Sequence, residues 1–381
     1  MSREKIISEN RAWIENTWKK LDEKLSKTAV KSRYKIPYST KDGVHDDRSD
    51  DILWWTNGFW GGLMWLMYIG TQKDCYKRTA EESERLLDKA FGDMQNWNHD
   101  VGFMWHILSG VNYRLTGNRQ SKNRNLIAAM SLMSRYNVEG DFIRCWNSWI
   151  GNENVSGWTI IDCIMNLPLL YWASDEIGDT RFEKVAKRHA DMTMRDHVRA
   201  DGAVNHIVVH DTEKADTVLG VRKGQGYAED SCWSRGASWA LYGFVLSYIH
   251  TKEQRYLDTA KRVANYFLAE TEKTGWLPRL DFRQPETPLY YDSTAGAIAA
   301  CGLIELSKHA EEIESEKFFS AALNILKAME QNWCDWTEQE DSVLQMGSEM
   351  YTNGIHMPII YGDYFFVESM LKLKGCEFLV W

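Results

Sequence analysis

Proline is scarce in this sequence, with 6 in 381 residues, and no stretch reads as a Pro/Ser/Gly-rich linker. That excludes a string of loosely tethered modules and predicts a single domain over residues 1–381. A C-x-x-C spacing is missing too. The seven cysteines, Cys75, Cys145, Cys163, Cys232, Cys301, Cys334 and Cys376, are odd in number and scattered. This excludes a disulfide framework and a cysteine zinc site, and fits reduced, buried thiols in a cytosolic protein. No uncharged apolar run reaches the roughly 18 residues that a membrane span needs, so no membrane partner is expected. The opening MSREKIISEN has no apolar centre, so no signal peptide is expected and the predicted location is cytoplasmic. A basic surplus is also lacking: 45 Lys and Arg stand against 54 Asp and Glu, a net charge of −9. Nucleic acid is therefore excluded as a partner, although a few arginines and helix N-termini can still build a local anion pocket.

Aromatic residues, by contrast, are in surplus. Eighteen Trp, 17 Tyr and 13 Phe exceed what a core of this size needs. Rings that are apolar on their faces and polar at one edge also suit the walls of carbohydrate clefts.

One kind of segment returns six times: a start bearing Gly, Asn, Asp or Ser, then an apolar helical run with small residues. These are NGFWGGLMWLMYIG from Asn57, HDVGFMWHILSGVNYRL from His99, IIDCIMNLPLLYWA from Ile160, SRGASWALYGFVLSYI from Ser234, DSTAGAIAACGLIELS from Asp292 and GDYFFVESMLKL from Gly362. Between them lie amphipathic, charged helices from about Ser8, Glu84, Lys122, Arg181, Arg255 and Lys317. A helix apolar all round is buried on all sides, whereas an amphipathic one keeps a wet face. Six of each, alternating, predict an all-α double ring, an (α/α)6 barrel; an open solenoid shares the pattern. One stretch, DGAVNHIVVHD from Asp201, alternates like a short β-hairpin.

In a double ring the inner helices run in one direction, so Asn57, Asp100, Asp162, Arg235, Asp292 and Asp363 gather at one end. Asp292 and Asp363 read most simply as helix caps. Asp162 stands out within GWTIIDCIMNLPLLYWA, where nearly every neighbour wants burial. A buried carboxylate needs partners or a raised pKa. With Asp100 at a neighbouring helix start, Asp162 can do general acid/base work, kept protonated by its apolar surroundings. On these residues alone an ordinary inverting glycosidase with one acid and one base remains open.

The segments WTNGFWGGLMWLMY, HDVGFM, GWTIIDCIMNLPLLYWA, KGQGYAEDSCWSRGASWALYG and GDYFFVE, in order from Trp54 to Glu368, resemble the unsaturated glucuronyl hydrolases of glycoside hydrolase family 88. The related family 105 unsaturated rhamnogalacturonyl hydrolases match less well. The resemblance implies a substrate left by a polysaccharide lyase, an oligosaccharide with a 4,5-double bond in its non-reducing terminal uronic acid. It implies Asp162 as the residue that protonates C4 and then receives the proton of the water that adds at C5. Asp100 is implied to hold sugar hydroxyls and to help keep Asp162 protonated. His206, Gln225 and Arg235 are implied to bind substrate, with Trp55, Trp146, Trp233 and Trp239 as walls. No metal and no organic cofactor is implied.

Simpler readings stand beside these. Arg235 could pair with Glu229 or Asp230 instead of a substrate anion. His206 could be a satisfied hairpin histidine. His206 and His210 form an H-x-x-x-H, but in a strand-like stretch this is not a helical zinc pair. Family members that prefer sulfated fragments are similar in a Ser-x-x-Ser-x-Lys stretch before the GDY segment. Here Ser348 remains as a binding candidate, while Tyr351 and Asn353 occupy the other two places. Sulfate preference at that subsite is therefore not expected unless Arg222 or Lys223 supplies the charge. A non-catalytic sugar-binding barrel is the remaining alternative, and the presence of both Asp100 and Asp162 argues against it.

Overall fold

Twelve α-helices dominate residues 3–381, the part of the chain described by this computed structural model. They are α1 (Arg3–Lys31), α2 (Phe59–Thr71), α3 (Asp74–Leu87), α4 (Val111–Thr116), α5 (Arg119–Ser134) and α6 (Leu167–Ile177). There follow α7 (Thr180–Met192), α8 (Ser234–Thr251), α9 (Gln254–Glu272), α10 (Ser293–Ser307), α11 (Glu312–Trp333) and α12 (Ile360–Leu373). The even-numbered helices form an inner ring and the odd-numbered ones an outer ring, which makes an (α/α)6 barrel. The ring closes where α2 packs on α12, and α1, the first outer helix, packs on the last inner one.

Sequence decides which helix goes where. Every residue of α10 and α12 is buried, as expected of helices apolar on all sides. On the outer α9, Tyr256, Ala260, Val263, Ala264 and Phe267 are buried at helical spacing while the opposite face is wet. Small residues set the spacing of the inner ring. A Cβ on Gly302 of α10 would lie 2.3 Å from Leu241 Cδ2 of α8, and one on Gly243 of α8 would lie 2.5 Å from Ile164 Cγ2. No larger side chain fits there without moving its neighbour.

Two inner helices begin irregularly, and both do so beside the candidate aspartates. Gly102–Gly110 is π-helical before it runs into α4, and Ile161–Asn166 is a 3-10 turn before α6. Asn166 ties the two starts together: its Oδ1 accepts from Phe103 N at 3.0 Å and its Nδ2 donates to Asp162 O at 3.4 Å. The outer segment expected from Glu84 is instead the end of α3, followed by a 3-10 stretch Asp88–Asn96 that is broken at Asp93.

The stretch from Asp201 supplies one arm of a β-hairpin. Its second half, Ile207–His210, is the middle strand of a three-stranded antiparallel sheet between Trp158–Ile160 and Val218–Arg222. Alternation identified the strand and its hairpin with Val218–Arg222; the second partner, Trp158–Ile160, lies far back along the chain. The sheet sets the register of the site, because Ile160 pairs with Ile207 and Ile161 N donates to His206 O at 3.0 Å. No helix among the described residues is long and apolar enough to cross a membrane.

Candidate active site

At the end of the barrel where the inner helices start lies a cleft of about 410 Å³. Its walls include Trp55, Trp146 and Trp158, with Gln225 and Met350 at one side and Ile150 at another. Asp100, Asp162, His99 and His206 form its polar floor, and both aspartates are only 7% exposed. The walls are braced by rings: Trp55 lies 5.5 Å from Phe103 and 5.0 Å from Tyr361, and Trp146 lies 6.0 Å from Trp158.

Each aspartate faces one histidine. His99 Nε2 is 3.2 Å from Asp100 Oδ1, and His206 Nε2 is 3.5 Å from Asp162 Oδ2. Burial pushes the Asp100 carboxyl well above its ordinary range; the charge of Asp162 adds to this and Arg135 opposes it. Burial also pushes the Asp162 carboxyl up, but His206, with His99 and Arg235, outweighs it and leaves Asp162 below its ordinary range, although at 3.5 Å His206 Nε2 makes no hydrogen bond to Oδ2. The directions run opposite to the sequence expectation: the carboxyl pushed up is that of Asp100, while His206, delivered by the sheet, favours the Asp162 anion.

Six expected site residues line the cleft: Trp55, Asp100, Trp146, Asp162, His206 and Gln225. Four others stand behind its wall. Arg235 is fully buried; its Nη1 donates to Asp292 Oδ2 at 2.7 Å, Thr294 Oγ1 at 3.1 Å and Ser348 O at 2.6 Å, and its Nη2 to Glu349 O at 2.7 Å. It holds the loop next to Met350, and its Nε is buried without a partner. Its ion-pair partner is Asp292 rather than Glu229 or Asp230, both of which are exposed. Trp233 stacks between His206, at 4.2 Å, and the Arg235 guanidinium, at 4.4 Å. Trp239 is a core ring beneath Phe103 and Phe365. Ser348 spends its hydroxyl on Tyr291 O at 2.7 Å and His356 N at 3.1 Å.

Of the expected caps, Asp292 does accept from Thr294 N at 3.1 Å. Asp363 instead accepts from Val343 N and Leu344 N, at 2.9 and 2.6 Å, and so anchors a loop rather than its own helix. His210 points away from the cleft, bonded to Thr159 Oγ1 at 3.0 Å and stacked on Phe142. Among the described residues no group of three His, Cys, Asp or Glu side chains is placed to hold a metal ion. Sequence reasoning passed over His99, Trp158, Gly224, Met350 and Asn166. His99 could have been found, since it directly precedes Asp100 in HDVGFM; the others carry no local signal.

Residues 28–249 match Glycosyl Hydrolase Family 88. The unsaturated glucuronyl hydrolase of Bacillus sp. (strain GL1) is 32% identical over 340 residues, covering 87% of this chain and 89% of that protein. The chain belongs to glycoside hydrolase family 88. An unsaturated chondroitin disaccharide hydrolase of Streptococcus pneumoniae is 32% identical over 336 residues, 86% of this chain and 83% of that one. The solved structure of the Bacillus sp. GL1 enzyme, described as responsible for the degradation of glycosaminoglycan, superposes with a TM-score of 0.85 at 31% identity, covering 94% of this chain and 97% of that chain. A UGL variant solved with dGlcA-Glc-Rha-Glc gives a TM-score of 0.86 at 28% identity, with coverage of 94% and 97%. As a family 88 member the chain is a glycoside hydrolase.

Proposed function

We propose that this enzyme removes the 4,5-unsaturated uronic acid from the non-reducing end of lyase-generated, glycosaminoglycan-type oligosaccharides, and that residues 1–381 act as one catalytic domain. The observation that carries the reading is a pair of buried carboxylates at adjacent inner-helix starts, opening into a cleft walled by tryptophans.

The chemistry follows from the substrate. The double bond is an enol ether, so C4 accepts a proton and C5 becomes cationic. Asp162 gives the proton to C4; water then adds at C5 and its proton returns to the Asp162 carboxylate. The C5 hemiketal opens by breaking its bond to the ring oxygen, and the C1 hydroxyl thus formed expels the neighbouring sugar. Because His206 favours its anion, Asp162 gains its proton when the substrate's own carboxylate arrives and water leaves. Both events raise a carboxyl pKa. Asp100 holds sugar hydroxyls, His206 and Gln225 bind the uronate end, and Trp55 and Trp146 pack on the ring faces. Arg235, Trp233, Trp239 and Ser348 act from behind by fixing the wall. With Tyr351 and Asn353 where a sulfate-binding serine and lysine are expected, unsulfated sugars are the favoured partners.

Lyase-generated disaccharides absorb in the near ultraviolet through the conjugated double bond. Adding the enzyme should abolish that absorbance, and in heavy water the product should carry deuterium at C4. No loss across chondroitin, hyaluronan and heparin fragments would overturn the proposal.

A further inference from the structure

We propose that the backbone, by locking His99 and His206 into opposite tautomers, stores the reaction's proton on Asp100 in the empty site and leaves Asp162 ionised until substrate enters. The inference rests on the function proposed above for the same cleft, and it follows from which atoms can donate.

His99 Nδ1 lies 2.9 Å from Cys145 O. A carbonyl oxygen only accepts, so Nδ1 carries the hydrogen. In the neutral ring Nε2 is then a bare lone pair, and it faces Asp100 Oδ1 at 3.2 Å. That Nε2 has no other partner, and two lone pairs at that distance repel unless Asp100 carries a proton to offer it. That proton belongs to Asp100 and not to the ring, because a neutral pair is cheaper to bury than an imidazolium and a carboxylate. Burial drives both groups the same way: His99 falls to about 4 while Asp100 rises.

His206 is held in the opposite sense. Gln225 N lies 2.9 Å from its Nδ1, and an amide N–H only donates, so Nδ1 is the acceptor. Lys223 O, 3.3 Å from the same nitrogen, would favour the other tautomer, but that would set two hydrogens between Nδ1 and Gln225 N. The ring hydrogen therefore sits on Nε2, 3.5 Å from Asp162 Oδ2, a charge–dipole contact longer than a hydrogen bond, and neither atom has another partner. One aspartate meets a lone pair and must be protonated; the other meets a donor and is stabilised as an anion.

The remaining charged and titratable neighbours do not reverse this. Arg135, bonded through Nη2 to Cys145 O at 3.1 Å, lies on the Asp100 side, and Arg235 acts on Asp162. The Cys145 and Cys163 thiols are kept neutral by burial.

The step that loads Asp162 is balanced within the cleft. Substrate hydroxyls donate to Asp100 and favour its anion, while the substrate carboxylate disfavours the Asp162 anion. The O–H bond at Asp100 breaks, one forms at Asp162, and the negative charge moves the other way, with no proton taken from solvent. His99 is a positioning residue in this scheme, since it reaches the substrate only through Asp100.

The test uses the full-length enzyme without substrate, labelled with 15N-histidine and 13Cγ-aspartate, with signals assigned by their loss in His99→Gln, His206→Gln, Asp100→Asn and Asp162→Asn. At neutral pH the expected result is an Nδ1–H tautomer for His99, an Nε2–H tautomer for His206, a protonated Asp100 and an ionised Asp162. The same tautomer on both rings, or an ionised Asp100 beside a protonated Asp162, would overturn the proposal. This readout needs no turnover, so it stands apart from the question of substrate. In turnover, His99→Gln places an amide donor against Asp100 and lowers its pKa. The alkaline limb of kcat/KM should then move down by about one pH unit or more. A fall in rate with the limb unmoved would reduce His99 to a structural part and overturn the proposal as well.

Discussion

Arg235 and Asp292 meet at 2.7 Å with both side chains closed to solvent, at the starts of neighbouring inner helices α8 and α10. The guanidinium also fixes the carbonyls of Ser348 and Glu349, so one pair joins two helices and the loop that carries Met350 to the cleft. Arg235→Ala strands a buried carboxylate and should destabilise the fold by about 3–5 kcal/mol. Urea denaturation measures it. Arg235→Lys should recover little, since one ammonium cannot span acceptors placed for two guanidinium nitrogens.

Asp162→Asn should leave the circular dichroism spectrum and melting temperature close to wild type while lowering kcat roughly 10²–10⁴-fold, the range of a lost acid/base group. Stopped loss of the near-ultraviolet band reads the rate. An active Asp162→Asn enzyme would remove Asp162 from the role proposed here.

Gly224 has φ +54°, and a Cβ there would lie 2.1 Å from His206 Nδ1. Gly224→Ala should therefore push the imidazole off Asp162 and strain the backbone by about 1–3 kcal/mol. The expected signature is a kcat loss approaching that of His206→Gln, with the protein still folded by near-ultraviolet circular dichroism.

Stability should fall in mild acid. Burial lowers His197 and His250 from 6.5 to about 4, so each is neutral in the fold where the unfolded chain would bind a proton. The unfolded state then holds more protons between these values. The contribution is complete above pH 6.5 and is lost as pH falls toward 4, by up to roughly 3 kcal/mol for each histidine. Urea midpoints from pH 7 to 5 should decline, and His250→Phe should flatten the decline.

What was legible in the sequence was the fold and part of the cleft's membership, and the reason is burial. A helix with no wet face, such as α10 or α12, announces an inner position from its own residues. What was not legible was non-local. The partner of Arg235 is 57 positions away in Asp292 rather than beside it at Glu229. The pull toward the Asp162 anion comes from a histidine brought in across the sheet, which its apolar neighbours carry no sign of. Asn166, which stitches the π-helical and 3-10 starts, looks in sequence like any helix-terminal asparagine.

The packing of α1 on α12 has a consequence for how the protein is made. Residues of α1 wait for a partner more than 300 positions later, and the exposed flank of α2 waits with them. A growing chain can stack helix pairs as they emerge, but it presents apolar seams at both ends until the ring shuts. Closure is a late step of high contact order, slow by loop entropy and open to aggregation while it lasts. Yield in the cell should therefore follow chaperone capacity during synthesis more closely than the stability of the finished barrel.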